Sequence, residues 1–417
     1  MSQRLRSLLA ILLLALLAPI ANAACPVSLP SGTDCVNAAA TKAITAHSSC
    51  RSVTNNHVSS QAIMIPVNTS TEWTRFYSNL PGGVTASTCT MSVTSVSPQA
   101  GLAVGATTIT VTGTGFVSGA VVRVNGTNCS TSTFVSATQM TCDVPSAAAG
   151  TIASVDVSVV NPDTSSASLA SGFYYVGAPR TWLRADAGVS VGSGNDVLNW
   201  ADSSGTGNHA STSGPYPQRV LASANFNNKP VITFSGANLL EFTRLNTFQN
   251  VAGASAVVAL RPTSTGNNQA IFSYWTGADG NDRFGFAINA VTGNTNRGTS
   301  PTGNFYLLAT RVDGTGHEYI RGGTLTVNSP VIMAGSMNYS AQTAELAING
   351  SVVSTGSNML TSGSTSDTAS LNGNFGAADT YNYFSGDVAE IFHFGIAITS
   401  AERQVLENYL KAKYNLP

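Results

Sequence analysis

The chain has 417 residues, with 19 Lys and Arg against 20 Asp and Glu, and only 9% of its residues are charged. So sparse and balanced a charge set excludes partners read through basic patches, namely nucleic acid and anionic membrane. The length predicts about two to three domains, and the abundance of Gly, Ser, Thr, Asn and Ala suits an all-β extracellular protein with many turns and an uncharged partner.

The first 23 residues read as an export signal. Arg4 and Arg6 precede an apolar run from Leu8 to Ile20, and Ala21-Asn22-Ala23 is an A-x-A cleavage site. The run is too short for a membrane span. Cys25 follows closely, but Asn22 stands where a lipid-attachment motif has Leu, and the two arginines are not adjacent. General secretion without a lipid anchor or membrane insertion is expected. Removing Arg4 and Arg6 leaves 17 basic against 20 acidic residues, a net charge of about −3. With the export signal, the protein is expected to be secreted or at a bacterial cell surface.

Residues 24–89 hold Cys25, Cys35, Cys50 and Cys89. So small a segment buries little core, and disulfides are a reasonable staple. Six cysteines in an exported chain suggest three bridges. No C-x-x-C pair occurs, which weakens zinc and thioredoxin-like readings. The sequence does not choose among the pairings of the first four.

Residues 90–176 alternate as strands. Ile109 and Val111 share a face, as do Val122 and Val124, and Val155, Val157 and Val159. Turn signals separate them at Gly113-Thr114-Gly115, Asn125-Gly126 and Asn161-Pro162-Asp163. This is the pattern of a small β-sandwich. With Val96-Ser97-Pro98, the run Thr108 to Phe116, Val159 to Asp163 and the closing Gly172-Phe173-Tyr174-Tyr175-Val176, the segment resembles the IPT/TIG immunoglobulin-like family. The resemblance implies a spacer or interaction module, and it places an internal disulfide at Cys129 and Cys142.

Residues 177–181 form a short linker, whose Gly and Pro limit its reach. Beyond it, Phe284, Phe286 and Ile288 alternate, as do Ala344, Leu346 and Ile348, and Asn349-Gly350 is a hairpin signal. Thr399-Ser400-Ala401-Glu402 fits a capping box, and Val405, Leu406, Tyr409 and Leu410 form one apolar stripe of a last helix. Two stretches frame this region. Trp182-Leu183-Arg184-Ala185-Asp186-Ala187-Gly188 and Asn199 to Asn208 open it; Phe384-Ser385-Gly386-Asp387-Val388-Ala389-Glu390-Ile391 and Lys413-Tyr414 close it. On these residues, 182–417 resembles a concanavalin A-like, laminin-G or pentraxin-type jelly roll. One such fold hosts many functions.

Catalytic patterns fail. Gly188-Val189-Ser190-Val191-Gly192 matches G-x-S-x-G, but it lies in a Gly/Ser-rich loop and no helix follows, as a nucleophile elbow requires. Glycosidases of the resembled fold carry E-x-D-x-x-E, which sets acid and nucleophile on one side of the substrate. Here Glu241, Glu318, Glu345 and Glu390 are scattered. Alginate-lyase-like motifs are also missing. His47, His57, His209, His317 and His393 lack metal spacing, and His393 reads as structural, as do Asp387 and Glu390.

Calcium is the one cofactor suggested. Asp202, Ser203 and Asn208 share one Gly-rich loop, while Asp279, Asn281 and Asp282 share another. Calcium takes such oxygen ligands, and ordinary turn capping uses the same residues. Sugar binding needs aromatic platforms beside polar groups. Tyr274 and Trp275 form one candidate cluster; Tyr381, Asn382 and Tyr383 form a second. Trp182 and Trp200 read as core.

The expected protein is therefore all-β and modular: a disulfide-stapled N-terminal region, an immunoglobulin-like sandwich, then a jelly-roll sandwich with a short C-terminal helix. Its expected role is non-catalytic binding of a glycan or polysaccharide in adhesion. The alternative is a structural surface component that binds another surface protein, and a glycan-cleaving enzyme stands third.

Overall fold

The computed structural model describes residues 50–54, 62–66, 91–105, 107–242, 251–266, 269–276, 282–288, 303–310, 317–357, 371–376 and 383–417. The signal segment, Cys25, Cys35 and Cys89 lie outside them. Among the described residues the chain is all-β with one α-helix, α1 (Ser400–Tyr414), and no helix is long and apolar enough to cross a membrane. Two compact units are distinguished. One comprises Met1–Pro98, Ala106–Pro145 and Val155–Phe173; the other comprises Gln99–Gly105, Ser146–Ser154 and Tyr174–Pro417.

Cys50–Thr54 pairs with Ala62–Pro66 as an antiparallel ribbon. In the 91–176 segment one sheet has the order Ser92–Ser97, Thr108–Thr114, Gln139–Asp143, Ser132–Ser136. The other has the order Ala100–Gly101, Ser166–Val176, Ile152–Val160, Val121–Val124, Thr127–Asn128. Period-2 alternation decides the inner faces: Ile109, Val111, Val122, Val124, Val155, Val157 and Val159 are all buried. Asn125 and Gly126 both take positive φ, 51° and 74°, so the Val121–Val124 hairpin closes with the tight turn that Asn-Gly favours. Cys129 and Cys142 are joined, with Cα atoms 5.7 Å apart, as the family resemblance implied.

The C-terminal region is a two-sheet sandwich. Its eight-stranded sheet runs Gln218–Ser223, Lys229–Ser235, Ser385–Phe394, Gly253–Pro262, Val331–Asn338, Thr343–Ile348, Ser351–Gly356, and Thr181–Arg184 pairs with Ser385–Phe394 off this path. Its nine-stranded sheet runs Val189–Val191, Val197–Trp200, Ala210–Ser211, Leu240–Phe242, Leu371–Phe375, Gln269–Thr276, Asp282–Ile288, Phe305–Thr310, His317–Gly322. The core between them joins Ile232, Phe234, Val258, Met333 and Ile391 of the first sheet to Trp200, Phe272, Phe286, Leu307 and Phe375 of the second. Asn349 and Gly350 both have positive φ, 52° and 90°, and close the hairpin expected there. The string 188–192, expected as a loop, instead supplies the edge strand Val189–Val191. Its β-branched valines suit a pleated strand. A three-residue 3-10 turn follows it, so no nucleophile elbow forms.

Helix α1 starts at a full capping box between Thr399 and Glu402. Its Leu406, Tyr409, Leu410 and Tyr414 join Trp182, Phe226, Val257 and Phe392 in a second cluster on the outer face of the eight-stranded sheet.

Candidate functional site

The two opening and closing sequence stretches converge on one carboxylate. Glu390 is fully buried. Its Oε1 accepts from Trp182 Nε1 at 2.6 Å and from the Tyr409 hydroxyl at 3.1 Å. Its Oε2 accepts from the Tyr414 hydroxyl at 2.8 Å and from Lys413 Nζ at 2.6 Å. Lys413 also pairs with Asp186 at 2.9 Å, and Arg184 pairs with Asp186 at 3.1 Å. Burial disfavours ionised Asp186, yet Lys413 and Arg184 together hold its carboxyl below its ordinary value. Burial, then the charge of Glu390, pushes the Tyr409 and Tyr414 hydroxyls well above theirs. A buried charge persists where it is paired and hydrogen-bonded, so this network clamps α1 onto the sheet. Asp387 is likewise structural: it accepts from Thr233 Oγ1 at 2.8 Å and pairs with Arg261 at 2.6 Å.

Asp202 organises its own loop. Its Oδ1 accepts from the backbone N–H groups of Trp182 and Ser204 at 2.8 and 2.9 Å. Its Oδ2 accepts from Ser204 Oγ, Thr206 Oγ1 and the N–H groups of Gly207 and Asn208 at 2.6 to 3.1 Å. Asn208 is buried and donates its amide to the Arg180 carbonyl at 2.7 Å. This is the turn-capping use of Asp and Asn. Asp279 and Asn281 lie outside the described residues, and only the backbone of Asp282 is described, opposite Trp275. Among the described residues no group of three or more His, Cys, Asp and Glu side chains is placed to hold a metal ion.

Strand register settles which candidates share an end of the nine-stranded sheet. Trp200 pairs with Ala210, Ala210 with Phe242, and Tyr274 with Gly373. The 202–208 loop and Tyr274-Trp275 therefore meet the same end of the sheet. Val197–Trp200 and Gln269–Thr276 are four inter-strand steps apart, about 19 Å at ~4.8 Å per step. That separation is far beyond a single calcium shell, whose ligands lie at roughly 2.3–2.6 Å. The second aromatic cluster is elsewhere. Tyr381 and Asn382 lie outside the described residues. Tyr383 precedes Phe384, whose N–H donates to the Gly376 carbonyl at 2.7 Å, and Ser385 N–H donates to Gln269 Oε1 at 2.9 Å. Gln269 opens the strand that Tyr274-Trp275 nearly closes, about 20 Å away at ~3.3–3.4 Å per residue. The two clusters do not form one site.

The register also aligns residues that sequence reading missed. Asn199 faces Ser211, Ser211 faces Glu241, Glu241 faces Asn374, and Asn374 faces Ser273. Their strand neighbours Trp200, Ala210, Leu240, Phe242, Phe375 and Phe272 fill the core, so this row lies on the sheet's outer face. Glu241 is exposed, Asn199 and Ser211 are half-buried, and Asn374 and Ser273 are buried. The row sets hydroxyls, amides and one carboxylate abreast across five strands, and Asn199, Ser211 and Glu241 are its solvent-reaching members. Trp275 faces Asn372, two positions along from the Ser273–Asn374 pair. Polar alternation was visible within each strand, but only pairing sets the five abreast.

Comparison with curated proteins gave no match. Three solved structures illustrate the similarities. The first is the Ruminococcus gnavus IT-sialidase CBM40 bound to α2,3 sialyllactose (13% identity, 42% of this chain and 95% of that one, TM-score 0.36). The second is Domain 4 of AbnA, a GH43 extracellular arabinanase from Geobacillus stearothermophilus, in complex with arabinotriose (12%, 54% and 97%, TM-score 0.39). The third is a native heptameric SAP-like pentraxin from Limulus polyphemus (17%, 42% and 79%, TM-score 0.32). Within the chain, residues 91–175 match the model of the IPT/TIG domain.

Proposed function

We propose that this chain is an exported, non-catalytic glycan-binding protein, serving adhesion at a bacterial surface. The observation that carries the reading is the polar row across the outer face of the nine-stranded sheet, in which Asn199, Ser211 and Glu241 reach solvent beside the buried Asn374 and Ser273. Alternating donors and acceptors suit the hydroxyls of an uncharged polysaccharide, and Trp275, at the neighbouring register position, is the aromatic candidate beside them. Glu241 is the one carboxylate among these five side chains. Hydrolysis by the usual glycosidase route needs a second carboxyl about 5–10 Å away, so the row favours binding over cleavage. Each neutral hydrogen bond exchanges with water for a net gain of about 1 kcal/mol, so single sites are weak. Calcium enters as a proposed aid at the loop end beside Asp282, since the Asp202 carboxylate is already taken up by six donors.

The intact chain, screened on a glycan and polysaccharide array with calcium and with chelator, tests this. Binding that falls in Glu241→Ala, Asn199→Ala and Trp275→Ala supports it, and loss on chelation adds the ion. No binding in either condition, or binding untouched by all three substitutions, overturns it. One observation favours the second reading, a structural component that binds other surface proteins: the edge strand Gln218–Ser223 exposes Val220 and Leu221, and such edges pair with other chains.

A further inference from the structure

The outer face of the eight-stranded sheet carries a second polar row. Ser255 faces Ser336, Ser336 faces Glu345, and Glu345 faces Thr355. Ser255 is fully buried and spends its hydroxyl on the loop before α1, donating to the Ile396 carbonyl at 2.8 Å and accepting from Ile398 N–H at 3.0 Å. That loop packs on the sheet, where Ser336 Oγ donates to the Ile398 carbonyl at 3.4 Å, and beside it the remaining three residues of the row line a cleft of about 430 Å³. The volume falls within the roughly 300–1,000 Å³ of small-molecule sites.

The chemistry of the cleft is specific. Asn338, Thr343 and Ser400 add an amide and two hydroxyls to Ser336, Glu345 and Thr355. The Glu345 carboxylate is held in place by Arg403, whose Nε lies 3.0 Å from Oε1, and it accepts from Ser400 Oγ at 3.1 Å. Arg403 is buried and shared with Glu407 through two bonds of 2.8 and 2.7 Å. One guanidinium thus serves two carboxylates, and Glu345, part-exposed, keeps acceptor capacity toward the cleft. Ala344, Ala397 and Ile398 supply apolar surface beside these groups. An anion meets the carboxylate unfavourably. No aromatic ring is among the described residues lining the cleft, so a flat aromatic ligand finds no stacking partner among them, and the apolar contact to a single ring comes from Ala344, Ala397 and Ile398 instead of the aromatic platform that a stacked polysaccharide uses.

We infer that this cleft is a binding site for an uncharged polyhydroxylated ligand of about one sugar ring, separate from the nine-stranded face. Its fixed carboxylate and amide accept and donate to adjacent hydroxyls, and the alanine and isoleucine surface meets the C–H face of the ring. The inference stands on different residues from the proposed polysaccharide face and does not depend on it.

The test is amide shift mapping of the intact, isotope-labelled chain titrated with methyl glucoside, methyl galactoside and methyl mannoside. Saturable shifts at Ser336, Asn338, Glu345, Thr355 and Ser400 are expected with at least one of them. Thr355→Val and Glu345→Gln each lose about tenfold in affinity, the worth of one hydrogen bond of ~1.4 kcal/mol. Both variants keep the Arg403–Glu407 pair, and unchanged shifts elsewhere show that they fold. Shifts confined to Asn199, Ser211 and Glu241 overturn the cleft and leave the other face standing. An absence of saturable shifts in the cleft, variants that bind like the parent, or competition by ethanolamine at the cleft also overturn it.

Discussion

Trp182 and Glu390 stand 208 residues apart in the chain and are joined by a 2.6 Å hydrogen bond from the indole N–H to a carboxylate that no solvent reaches. Lys413 and two tyrosines of α1 complete the ring around that carboxylate. Removing one partner of a buried ion pair costs about 3–5 kcal/mol; here the loss would leave the Trp182, Tyr409 and Tyr414 donors unsatisfied and Lys413 with Asp186 alone. Glu390→Ala is expected to lower unfolding stability by that amount and to detach α1 first. Urea unfolding, with amide exchange across residues 400–414, measures both. A loss below about 1 kcal/mol would reduce the network to a solvated contact.

His393 predicts an acid-sensitive core. It lies among Phe242 and Phe272, with the Phe272 ring centroid 4.2 Å away. Burial pushes its imidazole down to about 3, against a weaker opposing pull from Asp202. The unfolded chain takes up a proton near pH 6.5 and the folded chain does not until about pH 3. Stability is therefore complete above pH 6.5 and declines as pH falls toward 3, by up to about 1.4 kcal/mol per unit. His393→Leu should flatten that decline. Urea midpoints against pH for parent and variant decide it, and parallel curves reject the assignment.

Asp202 accepts six hydrogen bonds. Asp202→Asn keeps the shape but turns an N–H₂ group toward N–H donors of a half-buried loop, at a cost of about 1–3 kcal/mol. The amides of Gly207 and Asn208 are expected to exchange faster by at least about tenfold in the variant, the factor that ~1.4 kcal/mol represents. Unchanged exchange would mean the carboxylate is dispensable to the loop.

Two glycines separate backbone strain from crowding. Gly126 has φ +74° and open space where a methyl group would stand, whereas Gly376 has φ +89° and the Phe234 ring in the way. Gly126→Ala should cost the left-handed backbone penalty alone, about 1–2 kcal/mol. Gly376→Ala adds overpacking of about 1–3 kcal/mol. Calorimetric midpoints of the two variants check the order, and equal losses would contradict it.

Much of the architecture was legible in sequence because local rules dominate it. Period-2 alternation placed Ile109, Val157, Phe286 and Leu346 in cores. Asn125-Gly126 and Asn349-Gly350 specified their turns through positive φ, and Thr399 with Glu402 marked the start of α1. Trp182 and Trp200, read as core residues, are buried. The string at 188–192 reads as a loop because its glycines outweigh two valines that a neighbouring strand pairs.

The site was less legible, because sequence position carries no information on which strand lies beside which. Asn199, Ser211, Glu241, Asn374 and Ser273 look like ordinary outward residues of five separate strands until register aligns them. The same pairing puts the Asp202 loop and Tyr274-Trp275 at one end of the sheet and sends Tyr383 to the far end, a placement that local sequence does not carry. By itself the sequence determined strands, turns and one helix, since these depend on neighbours within a few residues, and its low charge. The tertiary structure alone decided the polar rows, the cleft beside α1 and the clamp on Glu390, since each joins groups far apart in the chain through hydrogen bonds that exist only once the sheets have formed.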